Sequence, residues 1–81
     1  MFYVYILRCA DSSLYTGFTT NLARRLAEHN GSKKAARYTR GRTPVSLVYH
    51  EQFRTRGRAL SREAQIKKLT RTQKIELISA C

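Results

Sequence analysis

Two tyrosines ten residues apart, an arginine ten beyond the second and a histidine four beyond that are the first groups able to do chemistry in this chain. They are Tyr5, Tyr15, Arg25 and His29. Arg25 and His29 share one face of a helix, beside Leu22 and Leu26. There a guanidinium fork and an imidazole could clamp a phosphate. Glu63 is the only carboxylate between Glu51 and Glu76, in a stretch crowded with arginine and lysine. Helical spacing turns it toward an apolar face, and an inward carboxylate needs a reason. Either it pairs with a nearby arginine, or it holds a divalent cation against a phosphate oxygen. Ordinary readings stand beside the chemical ones. Tyrosines in strands are usually packing residues, Arg25 can pair with Glu28, and a histidine near a helix C-terminus is favoured as a cation.

The elements that must position these groups follow from periodicity. FYVYILRC (2–9) is rich in β-branched and aromatic residues and reads as a strand, ADSS as a turn, and LYTGFT as the returning strand of a hairpin. Opposite residues of an antiparallel pair have a constant number sum. A sum of 24 puts Tyr15 opposite Cys9, with both phenols on one face and a three-residue loop; a sum of 23 puts it opposite Arg8 and splits them. The pattern does not choose between these registers. Thr19 or Thr20 offers an N-cap for the helix NLARRLAEHN, which ends at Asn30-Gly31. SKKAARYTRGRTP (32–44) is a basic, turn-rich connection, and VSLVYHEQF a third strand with His50 as a strand-face residue. Ala59, Leu60, Ala64 and Ile66 make the stripe of a second helix that Leu69 closes. Thr70 and Gln73 form a capping box for the last helix, RTQKIELIS. The order ββα(loop)βαα is α+β: a three-stranded antiparallel sheet flanked by helices. The expectation is one small domain over residues 1–81, with its core in about 2–78.

Sixteen Lys+Arg against five Asp+Glu give a net charge of +11. That balance favours a polyanionic partner, nucleic acid before a membrane surface. Thirteen of the basic residues fall in 33–43 and 54–74. Lys33, Lys34, Arg37, Arg40 and Arg42 surround Tyr38, which could stack on a base, and Lys67 and Lys68 extend the footing. Such contacts hold a backbone without reading its sequence. Two cysteines make no disulfide framework, and no segment reads as a leader or a span, so a soluble, cytoplasmic protein with reduced thiols is expected. HExxH, CxxC, Walker and GxSxG motifs are absent, which removes zinc-peptidase, redox, NTPase and α/β-hydrolase readings.

YVYILRC, SLYTG, RRLAEHN, YTRGR, PVSLVY and ALSREAQIKKL together resemble the GIY-YIG nuclease superfamily, in particular its small stand-alone bacterial proteins. The first triplet is YVY rather than GIY and the second YTG rather than YIG, but both tyrosines and Gly17 remain. By this resemblance Tyr5, Tyr15, Arg25 and His29 are catalytic and Glu63 binds one divalent metal ion, Mg²⁺ or Mn²⁺. The implied activity is endonucleolytic hydrolysis of phosphodiesters, in DNA before RNA, in repair or recombination. Tyr5 would orient or deprotonate the attacking water; a phenol of pKa about 10 needs a nearby cation for this, which Arg25 could supply. Rival readings are a non-catalytic nucleic-acid-binding protein and a small subunit acting on a larger repair or recombination protein, the latter with an apolar patch away from the active-site face.

Overall fold

The structure, a computed structural model, describes residues 1–31 and 41–80. It is α+β. Strands β1 (Phe2–Arg8), β2 (Leu14–Thr19) and β3 (Ser46–Phe53) form an antiparallel sheet in the order β2-β1-β3. Helix α1 (Leu22–Gly31) follows β2, and α2 (Arg56–Lys67) and α3 (Arg71–Ser79) follow β3. The central strand is covered on both faces, which explains why FYVYIL is an almost unbroken apolar run. Val4 and Ile6 pack with Ala59, Ile66, Leu77 and Ile78 of α2 and α3. Tyr5 and Leu7 pack with Leu22 and Leu26 of α1 on the other face.

The hairpin register differs from both sequence alternatives. Leu7 faces Tyr15 and Tyr5 faces Gly17, a number sum of 22. The loop is three residues long, Ala10–Ser12, closed by Cys9 N–H donating to Ser13 O at 2.9 Å. Ser12 adopts the left-handed conformation, φ +68°, and the Asp11 carboxylate accepts from Ser13 N–H at 3.0 Å. A short polar side chain bonding the backbone two residues on stabilises such a turn without glycine. Because 22 and 24 share parity, the two phenols still project from one face.

Two further expectations are corrected. Asn21, not Thr19 or Thr20, caps α1: its Oδ1 accepts from Arg24 N–H at 3.0 Å, while Thr19 Oγ1 accepts from Asn21 N–H. In α2, Ala59 and Ile66 are buried, but Leu60 and Ala64 are exposed. The helix meets the sheet along a narrow ridge, and Arg62 and Glu63 occupy the half-buried positions between its two apolar contacts. The capping box at Thr70 and Gln73 is present, as its residue pattern implies.

Side-chain clamps fix the elements relative to one another. Asn30, near the end of α1, donates to Val45 O (3.0 Å) and accepts from Val45 N–H (2.6 Å), ahead of β3. Its amide thereby supplies both bonds of a missing strand neighbour. Arg62 Nε donates to both Glu51 oxygens, at 3.0 and 3.2 Å, tying α2 to β3. The Thr16 hydroxyl, on the face toward α2 and 4% exposed as a residue, has no hydrogen-bond partner among the described residues. Thr16→Val should therefore stabilise the fold by about 1 kcal/mol, since a buried unpaired hydroxyl is a net loss. A urea titration at pH 7 checks this; an unchanged or lower midpoint contradicts it.

Candidate active site

The hairpin and α1 bring four of the sequence-derived candidates into contact. Tyr5 is 2% exposed and His29 1% exposed. The Tyr5 hydroxyl lies 2.9 Å from His29 Nε2. The Tyr15 ring closes the group, with centroids 6.5 Å from Tyr5 and 5.3 Å from His29. Arg25, one helical turn before His29, acts on the Tyr5 hydroxyl by favouring its ionised form, and also holds Glu28 through Nη1 at 3.1 Å. The ion pair with Glu28, the ordinary reading of Arg25, is thus present.

Gly17 is what lets Tyr5 take this position. It faces Tyr5 across the ladder, and a Cβ added there would fall 2.5 Å from Tyr5 Cζ and closer still to the hydroxyl. The ring leans over the backbone of β2, the edge strand, where any larger residue would stand in its way. Glu63 comes from the opposite layer, on α2, with its side chain 18% exposed. It is near enough to Tyr5 that its charge opposes ionisation of the phenol. Groups from both faces of the sheet therefore act on one hydroxyl.

Burial decides the protonation states. Tyr5 is pushed up to about 12, chiefly by burial, with Tyr15 and Glu63 adding to the rise and Arg25 opposing it. The Arg25 charge therefore does not by itself yield a phenolate at neutral pH. His29 is lowered to about 4, first by burial and then by the Arg25 charge, with Glu28 pulling the other way. Those effects outweigh the helix C-terminus, which would favour a cation. A neutral imidazole whose Nε2 accepts from the Tyr5 hydroxyl accounts for their 2.9 Å contact.

Glu63 pairs with Lys67 at 3.5 Å, one turn on. Among the described residues no three His, Cys, Asp or Glu side chains gather as a metal cage. A single carboxylate fits a hard cation such as Mg²⁺ or Mn²⁺, whose other positions go to waters and phosphate oxygens. Of the basic residues expected to contact nucleic acid, and the tyrosine among them, Lys33, Lys34, Arg37, Tyr38 and Arg40 lie outside the described residues. Arg42 is held by Asp11 at 3.0 Å, against the hairpin loop, and Lys68 is exposed at the end of α2. The Asn30 clamp that positions β3 beside α1 is not legible in the sequence; an asparagine at a helix end is as readily a C-cap.

Residues 1–76 match the profile of the GIY-YIG catalytic domain. The chain belongs to the GIY-YIG family. Its relatives are small proteins. The UPF0213 protein of Desulfotalea psychrophila is 58% identical over 78 residues, covering 96% of this chain and 71% of that protein. That of Clostridium perfringens is 59% identical over 80 residues, covering 99% and 85%. The solution NMR structure of the UPF0213 protein from Bacillus halodurans, 46% identical, matches with a TM-score of 0.64 over 99% of this chain and 85% of that one. Membership in the GIY-YIG family points to nuclease-type chemistry on nucleic acid. Among the described residues, no helix is long and apolar enough to cross a membrane.

A pH dependence follows from the buried imidazole. The folded pKa of His29 lies below its unfolded value, so its contribution to stability is present above about pH 6.5 and is lost as pH falls toward 4. The loss over that window should be on the order of 3 kcal/mol, and His29→Gln should flatten it. Urea titrations across pH 7 to 4 test this; equal slopes in both proteins contradict it. In Gly17→Ala the displaced Tyr5 ring should open the pocket, and NMR should find His29 titrating closer to its ordinary value.

Proposed function

We propose that this GIY-YIG domain is a metal-dependent endonuclease that hydrolyses phosphodiester bonds, in DNA before RNA, with repair or recombination as its setting. The observation that carries this reading is the convergence of Tyr5, Tyr15, Arg25 and His29 on one hydroxyl, with the Glu63 carboxylate in electrostatic reach. In this reading Arg25 contacts the scissile phosphate with the donors that Glu28 leaves over, which fits a fork of five N–H groups. Tyr5 accepts a hydrogen bond from, or a proton of, the attacking water and passes its own proton to His29 Nε2. That relay avoids a free phenolate, which a phenol at about 12 does not offer at pH 7. A divalent cation on Glu63 would neutralise phosphate charge, support the leaving oxygen and remove the carboxylate's opposition to ionising Tyr5. Lys67 would give up its ion pair with Glu63 and turn to a phosphate.

Tyr15 is the rival for contact with water. It is half-buried, whereas Tyr5 is almost enclosed. If Tyr15 holds the water, Tyr5 and His29 orient it from behind.

The test is cleavage of labelled plain, nicked, flapped, branched and single-stranded DNA, with a matched RNA, in Mg²⁺ or Mn²⁺. Wild type should cut in a metal-dependent way. Glu63→Gln, Arg25→Ala and Tyr5→Phe should each lose at least about 100-fold in rate. DNA binding by Glu63→Gln should stay within roughly threefold and weaken steeply with salt. Tyr15→Phe more damaging than Tyr5→Phe would transfer the water to Tyr15. Binding without cutting, equal in all variants, would replace the nuclease by a binding module.

A further inference from the structure

Away from the active-site groups, a concave surface lies beneath the hairpin end on the α2–α3 side of the sheet. A cleft of about 280 Å³ opens there between β1, β2, β3 and α3. Its floor is aliphatic: Leu14, Val48, Ile75 and Ile78. Ile75 is 44% exposed, one of three large apolar side chains so placed among the described residues. Arg8 and Arg71 stand in the wall. A second depression of about 210 Å³ shares Leu14 and Arg71 and adds Lys74, so the surface runs on along α3. None of these three cations forms an ion pair among the described residues; the four acid–base pairs all lie elsewhere.

An aliphatic floor between unpaired guanidinium groups selects its occupant by chemistry. It suits a segment that carries an aliphatic side chain next to a carboxylate, for burial and a bidentate Arg contact respectively. A nucleic-acid base would need an aromatic platform, and no aromatic residue lines the cleft. A second copy of this chain, at +11, would bring like charge against like. We propose that this cleft docks an acidic–aliphatic segment of a partner protein. Such a segment would bind while the hydroxyl of Tyr5, on the other face, stays clear. The inference concerns a surface separate from the active site and holds whether or not the domain cleaves DNA.

The test uses a displayed library of random peptides of about eight residues, selected on the full chain, with the most enriched peptide then synthesised. Selected sequences should pair an aliphatic residue with Asp or Glu. Titration of that peptide should move the amide resonances of Leu14, Val48, Ile75 and Ile78. Arg71→Glu and Ile75→Ser, both at exposed positions of α3, should each weaken binding about tenfold or more. Leu60→Ser, at an exposed apolar residue of α2, should leave it within roughly twofold. Selected peptides without the acidic–aliphatic pairing, or binding indifferent to Ile75→Ser, would overturn the proposal. So would a short single-stranded DNA that shifts the same amides more tightly than the peptide, which would make the cleft a nucleic-acid surface.

Discussion

The Tyr5 ring lies across the backbone of Gly17, and the geometry of the candidate site depends on that contact. A sheet covered on both faces separates its layers: α1 packs with Tyr5 and Leu7, whereas α2 and α3 pack with Val4 and Ile6. Chemistry that needs an arginine and a histidine from one layer and a carboxylate from the other must find a way around the sheet. The absence of a side chain at position 17 provides it. Tyr5 leans over the edge strand, and its hydroxyl comes under the influence of both His29 and Glu63. The second triplet's glycine is thus a steric requirement of the first triplet's tyrosine.

Electrostatics then works against the simplest use of that tyrosine. Arg25 favours the phenolate, but burial, Tyr15 and Glu63 together hold the phenol protonated. The same burial strips His29 of its proton, so the pocket at neutral pH holds a donor and an acceptor rather than two charges. A proton passed along this pair would come to rest on His29 as a buried imidazolium, a form that burial and the Arg25 charge both disfavour. Arg25 is the cation against the group, steadied by its pair with Glu28.

Distant contacts serve the same geometry. Asn30 joins the end of α1 to Val45, so the helix that carries Arg25 and His29 is tied to the chain entering β3. Arg62, the residue before Glu63, joins α2 to Glu51 of β3. These are polar clamps at the ends and flanks of elements, where a small domain has little apolar surface left to use. The basic residues that surround Glu63 in sequence differ in what they do. Arg62 is structural, Lys67 pairs with Glu63, and Arg71 faces a cleft on α3.

Local chemistry was readable in the sequence. Strand alternation, the order of elements, the capping box at Thr70 and Gln73 and the family resemblance of the triplets rest on nearest neighbours in the chain, so the residue types carry them. The five candidate residues were singled out from type and spacing, with resemblance to suggest their roles. Register was not readable, because Ser12 enters the left-handed region with no glycine to announce it and Asp11 sets the turn through one side-chain bond. Nor was the buried face of α2, since Leu60 and Ala64 are as apolar as the residues that do pack. Protonation belonged wholly to the tertiary structure. The charge on Tyr5 or His29 depends on how much water and which charges surround it, and those neighbours come from three elements that meet only when the chain folds.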